Sequence, residues 1–165
     1  MAFARLPGIL GFSIFVAIGP TSVAGQEAIF QNGMPGEIDS SGNLNAYRWA
    51  DDFSLSADAV LMGISFWAWE QAVEQIGGSS FLGTVFWQIL TNDNDRPGHV
   101  LALGLAPTTR TDANDVSDGY NLYRYEFTLP NVELRSDVFW LSLHHGPLTH
   151  RTSPSLWWEA PSWSR

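Results

Sequence analysis

At 165 residues the chain is long enough for one domain with a substantial hydrophobic core. It contains no cysteine, which excludes disulfide stapling and thiolate-bound metal and leaves hydrophobic burial to hold the fold. Seventeen acidic residues against eight basic ones, every one of them arginine, give a net charge of -9, which disfavours nucleic acid and anionic membrane as partners.

The chain begins with a pattern of export. Arg5 supplies a positive start, Ile9 to Ile18 an apolar run, and Pro20 ends that run before the small residues Ser22-Val23-Ala24-Gly25. The apolar run is shorter than the ~20 residues that span a bilayer and is interrupted by Gly11 and Gly19, so the expectation is a signal peptide over residues 1–25, cleaved near residue 25. The mature chain is then exported and carries no membrane span. Glu27 to Gln31 reads as a short strand. Residues 26–45 form an N-terminal arm, because the Gly, Ser, Asn and Pro of Asn32 to Asn45 offer little to bury.

Residues 46–165 are the expected folded domain. Asp51 and Asp52 read as a polar turn, one of them capping it, followed by a strand at Phe53 to Leu55 and a second turn at Ala57 and Asp58. Val60 to Trp69 is the longest period-two run. Its even positions Val60, Met62, Ile64, Phe66 and Ala68 form one apolar row, and its odd positions combine the small Gly63 and Ser65 with the indoles of Trp67 and Trp69. Glu70 to Ile76 reads as one or two helical turns. Thr84 to Leu90, apolar on both faces, reads as a central strand. Asn92 to Gly98 is a hairpin turn, and Val100 to Leu105 is the returning strand.

Pro107 to Gly119 reads as a polar loop. Tyr120 to Leu129 alternates cleanly, with Tyr123, Tyr125, Phe127 and Leu129 against Leu122, Arg124, Glu126 and Thr128, which predicts a strand with one wet face. Val138 to His144 predicts another strand, and Leu156 to Glu159 a short edge strand in a Pro-rich tail. Several evenly spaced strands with polar turns indicate an all-β protein, an antiparallel β-sandwich of jelly-roll type. The aromatic content of 13%, with eight tryptophans, agrees with β-structure.

In order along the chain, IFQNG, WADDFSL, GISFWAW, the DRPG hairpin, YRYEFTL and VFWLSL resemble a β-sandwich domain of bacterial exported proteins, of the kind often found in PEP-CTERM-sorted exoproteins. The resemblance spans most of residues 29 to 143. It implies an exported, all-β and non-catalytic protein with a structural or binding role at the cell surface or outside the cell. The sorting tail of Pro-Glu-Pro, apolar span and basic cluster is absent, and such relatives carry further strands, so the resemblance also implies a sandwich lacking its last strand or strands.

Four constellations are candidates for chemistry. Trp67, Trp69 and Trp140 form a candidate aromatic platform for a sugar ring; the alternative is that the second sheet or the segment after Trp69 covers them. With the platform goes a second functional expectation, a carbohydrate-binding module or weak glycoside hydrolase, with polysaccharide as partner in place of another surface protein. Asp93 and Asp95, with Asn92 and Asn94, are candidate oxygen ligands for Ca²⁺, against a plain hairpin turn. His144, His145 and His150 are candidates for zinc, although adjacent strand residues point to opposite faces. Glu70 and Glu74 share a face of the expected helical turn and are the candidate acid pair of a glycosidase.

Overall fold

The computed structural model describes residues 4–5, 12–17, 27–31, 42–44, 48–71, 81–117, 119–149 and 156–158. The strands in chain order are β1 (Ala4–Arg5), β2 (Phe12–Ala17), β3 (Glu27–Gln31), β4 (Gly42–Asn43), β5 (Trp49–Ser54) and β6 (Ala59–Gln71). There follow β7 (Thr84–Asn92), β8 (Pro97–Pro107), β9 (Thr109–Ser117), β10 (Tyr120–Leu134), β11 (Val138–His145) and β12 (Leu156–Trp158). The protein is all-β, and among the described residues there is no helix long and apolar enough to cross a membrane.

Two sheets face each other. The first has the order β1-β5-β11-β7-β8, and the second β3-β2-β6-β10-β9, with β12 joining the second on β6 and β4 joining β12. Apart from the short parallel pair β1 with β5, the ladders are antiparallel. The pairs β5 with β11 and β6 with β10 nest, because the chain changes sheet from β5 to β6 and back again from β10 to β11. This winding of a doubled ribbon across two layers is jelly-roll-like. The chain also changes sheet between β8 and β9, a step of one residue at which the Thr108 amide donates to the Gly83 carbonyl at 3.0 Å.

The core between the layers is built by period two. Phe53 and Leu55 lie in it from one sheet with Val85, Trp87 and Ile89 on β7 and Phe139, Leu141 and Leu143 on β11. Ile64, Phe66 and Ala68 on β6, with Tyr125, Phe127 and Leu129 on β10, fill it from the other. Gly104 lies opposite Trp87 on β8, and a Cβ there would sit 2.9 Å from the indole, so the glycine makes room for the ring.

Several expectations change. The even row of β6 breaks at Met62. Both neighbours of β6 pair with Gly63 and next with Leu61, skipping Met62, so a bulge reverses the phase. Leu61 enters the core, while Val60 and Met62 are half-buried outside it. Asp51 and Asp52 are not a turn: both lie inside β5, opposite Leu141 and Trp140. The helix expected from Glu70 does not begin there, since β6 continues through Gln71, and residues 72–80 lie outside the described residues.

The loop expected from Pro107 is the strand β9. It has no apolar periodicity because it is an edge strand with largely exposed side chains. The arm is tied down at its end, since Leu44 is fully buried in the core and its carbonyl accepts from the His145 amide at 3.1 Å. Glu27–Gln31 and Leu156–Trp158 are strands as expected. Most of the expected signal peptide lies outside the described residues; within it, β1 and β2 pair with β5 and β6.

Candidate functional site

Trp67, Trp69 and Trp140 do not share a surface. Trp140 stands between the core residues Phe139 and Leu141 on β11 and therefore points out of the first sheet. Trp67 and Trp69 alternate with the core residues Phe66 and Ala68 on β6 and point out of the second. The two outer faces lie on opposite sides of the sandwich. Trp140 is 1% exposed, clusters with Ala50 and Leu90, and donates from Nε1 to Asn92 Oδ1 at 3.0 Å. Trp69 is 2% exposed and lies beside buried Leu122. A three-indole platform is thus overturned by geometry, and two of its members are packing. Trp67 is half-buried and in register with Arg124.

Asp93 and Asp95 belong to a tight hairpin. Asn94 and Asp95 both have positive φ, 52° and 58°, and the Asp93 amide donates to the Arg96 carbonyl at 2.9 Å. Two successive left-handed residues are the geometry of a type I′ turn, and Asn94 Nδ2 donates to Asp93 Oδ1 at 2.9 Å. The polar residues here make a turn. No group of three His, Asp or Glu side chains suited to a metal occurs among the described residues.

His144 and His145 diverge as alternation requires. His144 Nδ1 lies 3.2 Å from the Gly146 carbonyl on the outer side. His145 lies under the stacked ring of Phe81, and its Nε2 accepts from the Leu82 amide at 2.8 Å, which leaves the proton of a neutral ring on Nδ1. His150 and Glu74 lie outside the described residues.

Glu70 has a different setting from the one its helical reading gave it. Because β6 stays extended, Glu70 keeps the inward parity of Phe66 and Ala68 and is buried between the sheets at one end of the core. Its Oε1 accepts from Arg110 Nη1 at 2.6 Å and from the Tyr125 hydroxyl. Arg110 reaches it from β9 across β10 and lies 4.2 Å over the ring of Tyr123. Phe81 packs edge-on to Tyr125 and stacked on His145, so an aromatic wall closes the inner side.

Sequence reasoning named Glu70 but missed Arg110 and Tyr125 as its partners. Arg110 sat in an expected loop, whereas the Tyr125 register was legible from its alternation.

The electrostatics follow from burial. Burial, followed by the charge and hydrogen bond of Glu70, pushes the Tyr125 phenol far above its ordinary value of 10.0, with Arg110 opposing. Burial lowers Arg110, but the hydrogen bond and charge of Glu70 outweigh it and leave the guanidinium raised. The phenol thus stays protonated and serves as a donor to the carboxylate.

Because the folded value is raised, the stabilising contribution is intact below the unfolded value near 10 and is lost as pH rises above it. Stability falls there by about 1.4 kcal/mol per pH unit for this one group. Urea unfolding between pH 9 and 12 should show a shallower alkaline decline in Tyr125→Phe than in the native chain; equal slopes would remove the role assigned to the phenol.

The other distinctive feature is an exposed apolar row on β8, the end strand of the first sheet. Val100, Leu101, Leu103 and Leu105 are 45%, 49%, 57% and 48% exposed. Their neighbours Ala102, Gly104 and Ala106 are small and point inward. Compared with protein-family models, characterised proteins and solved structures, the chain matches none.

Proposed function

We propose that the chain is an exported, non-catalytic β-sandwich module with a structural or binding role at the cell surface or outside the cell. The leader pattern of residues 1–25 and the resemblance to exported sandwich domains support export. The observation that carries the binding role is the β8 row: four adjacent large apolar side chains, each about half exposed, on a sheet edge. Single exposed apolar residues are ordinary, but a contiguous row marks an interaction surface. Glu70, a member of the candidate acid pair, is engaged inside the protein by Arg110 and Tyr125.

The test uses an apolar fluorescent dye such as ANS on the full chain and on Leu103→Ser/Leu105→Ser. The native chain binds the dye, and the double variant loses most of that binding while its thermal midpoint stays within a few degrees. Unchanged dye binding would remove β8 as the interaction surface. The mass of the secreted product, beginning near Gln26, tests export.

A second reading, carbohydrate binding, keeps one specific support. Trp67 lies beside Arg124, whose Nε donates to Ser65 Oγ at 3.1 Å and whose Nη2 donates to Glu126 Oε1 at 2.8 Å. A half-buried indole flanked by planar polar groups held in place suits stacking and hydrogen bonding to a sugar. The expected result under this reading is that Trp67→Ala loses retention on an insoluble polysaccharide while its thermal midpoint holds. A collapse in stability with no retention in the native chain makes Trp67 a packing residue.

A further inference from the structure

We infer that the occupant of the β8 edge is a second copy of this chain, paired antiparallel through β8 itself about a two-fold axis; this rests on the binding role proposed above. The two described edges at the sandwich's far side differ. On β9, Arg110, Asp112 and Asp115 interrupt the strand, Asn114 takes φ 57°, and the pairing with β10 shifts register, all of which deter strand addition. On β8, Val100 to Pro107 reads VLALGLAP and contains no charged side chain. Of the two described edges it is therefore the one whose side chains permit a further strand.

The partner strand must be extended, uncharged and apolar on alternate positions, with a free edge of its own. The strand β8 meets each of these requirements. A two-fold axis near Leu103 sets Leu103 of one copy against Leu103 of the other, an isologous contact, and directs Leu105 of each toward the bulge at Leu101 of its partner. The inward residues Ala102, Gly104 and Ala106 keep their places against β7, so no core rearrangement is required.

Charge permits the same arrangement. The net charge of -9 would oppose association, but none of it lies on the seam. Four half-exposed side chains per copy fall below the roughly 1,600 Å² of a standard interface, the size range of transient association. The bulge that leaves Leu101 without a partner between Ile89 and Leu90 limits the flat pairing surface to the half of β8 beyond it.

Sedimentation equilibrium of the full chain over a hundredfold concentration range tests this. A monomer–dimer equilibrium is expected, with association weakened at least tenfold by Leu103→Lys. Because the chain has no cysteine, Leu103→Cys adds a single thiol, and directly opposed residues on antiparallel strands lie within the ~4.4–6.8 Å Cα separation of a disulfide. Mild oxidation should join two copies of Leu103→Cys, whereas Val116→Cys, on exposed β9, should not cross-link. A native chain that is monomeric throughout, a dimer indifferent to Leu103→Lys, or cross-linking no faster than the Val116→Cys control would overturn the inference. Among these, a monomer that binds ANS through β8 leaves the binding role standing, whereas loss of dye binding as well removes both.

Discussion

Trp140→Ala should lower stability by about 3–5 kcal/mol, the largest single effect expected in this protein. The indole is 1% exposed and packed against Ala50 and Leu90, so truncation removes a large apolar area and leaves a cavity that a β-sheet closes poorly. It also strips Asn92 Oδ1 of its donor at the head of the hairpin. At 2–4 °C per kcal/mol for a chain of this size, the thermal midpoint drops by roughly 10 °C. Trp140→Phe should recover about half of that, because it keeps one six-membered ring in the site but loses the second ring and the Nε1 hydrogen bond. A Trp140→Ala variant as stable as the native chain would mean that this side chain faces solvent, and the sugar platform would have to be reconsidered.

Arg110→Ala should cost about 3 kcal/mol, even though the residue lies on an edge strand. Removing one partner of a buried pair leaves the other charge uncompensated, at a cost of ~3–5 kcal/mol when both are fully buried. Arg110 keeps 28% of its side chain exposed while Glu70 keeps 4%, which places the loss at the lower end of that range. The conservative Arg110→Lys should not restore it fully, because an ammonium lacks the flat guanidinium that lies over Tyr123. The decisive measurement is a double-mutant cycle in urea. Glu70→Gln should cost less in the Arg110→Ala background than in the native chain, because Arg110 has already gone and the substitution then removes the carboxylate stranded by its loss. Additive losses would show that the pair is not coupled and that β9 is held to the sheet by its backbone alone.

These effects show which parts of the molecule local sequence could reveal. Alternation along Tyr120 to Leu129 named its inward residues correctly, because a strand with one wet face repeats its environment every second residue. On Thr84 to Leu90 the same logic gave a central strand with two apolar faces, and the structure decided that Val85, Trp87 and Ile89 face the core. Alternation failed at Met62, where one extra residue reverses the phase with no warning in composition, since Leu61 and Met62 are equally apolar. It failed at Thr109 to Ser117, where a solvated edge strand reads as a loop. It also failed at Glu70, where a string of good helix formers continues a strand because β10 supplies ladder partners as far as Gln71.

The candidate sites divide in the same way. Asp93 to Arg96 was legible as a turn because Asn and Asp tolerate the left-handed region that a tight hairpin demands. The indoles were not, because alternation shows that Trp67, Trp69 and Trp140 all leave the core face but not which sheet carries each strand. Only β6 lying in one layer and β11 in the other puts them on opposite sides.

The sequence by itself determined the all-β class, the faces of β10, the hairpin between β7 and β8, and the lack of disulfide or thiolate chemistry, because all of these follow from period, turn chemistry and composition. The tertiary structure decided the sheet to which each strand belongs, the burial of Trp69 and Trp140, the joining of Glu70 to Arg110 and Tyr125, and the exposure of the leucines of β8. Each of these depends on neighbours distant in sequence, and the pairing of residues such as Glu70 and Arg110, 40 positions apart, is set by strand order and register rather than by local propensity.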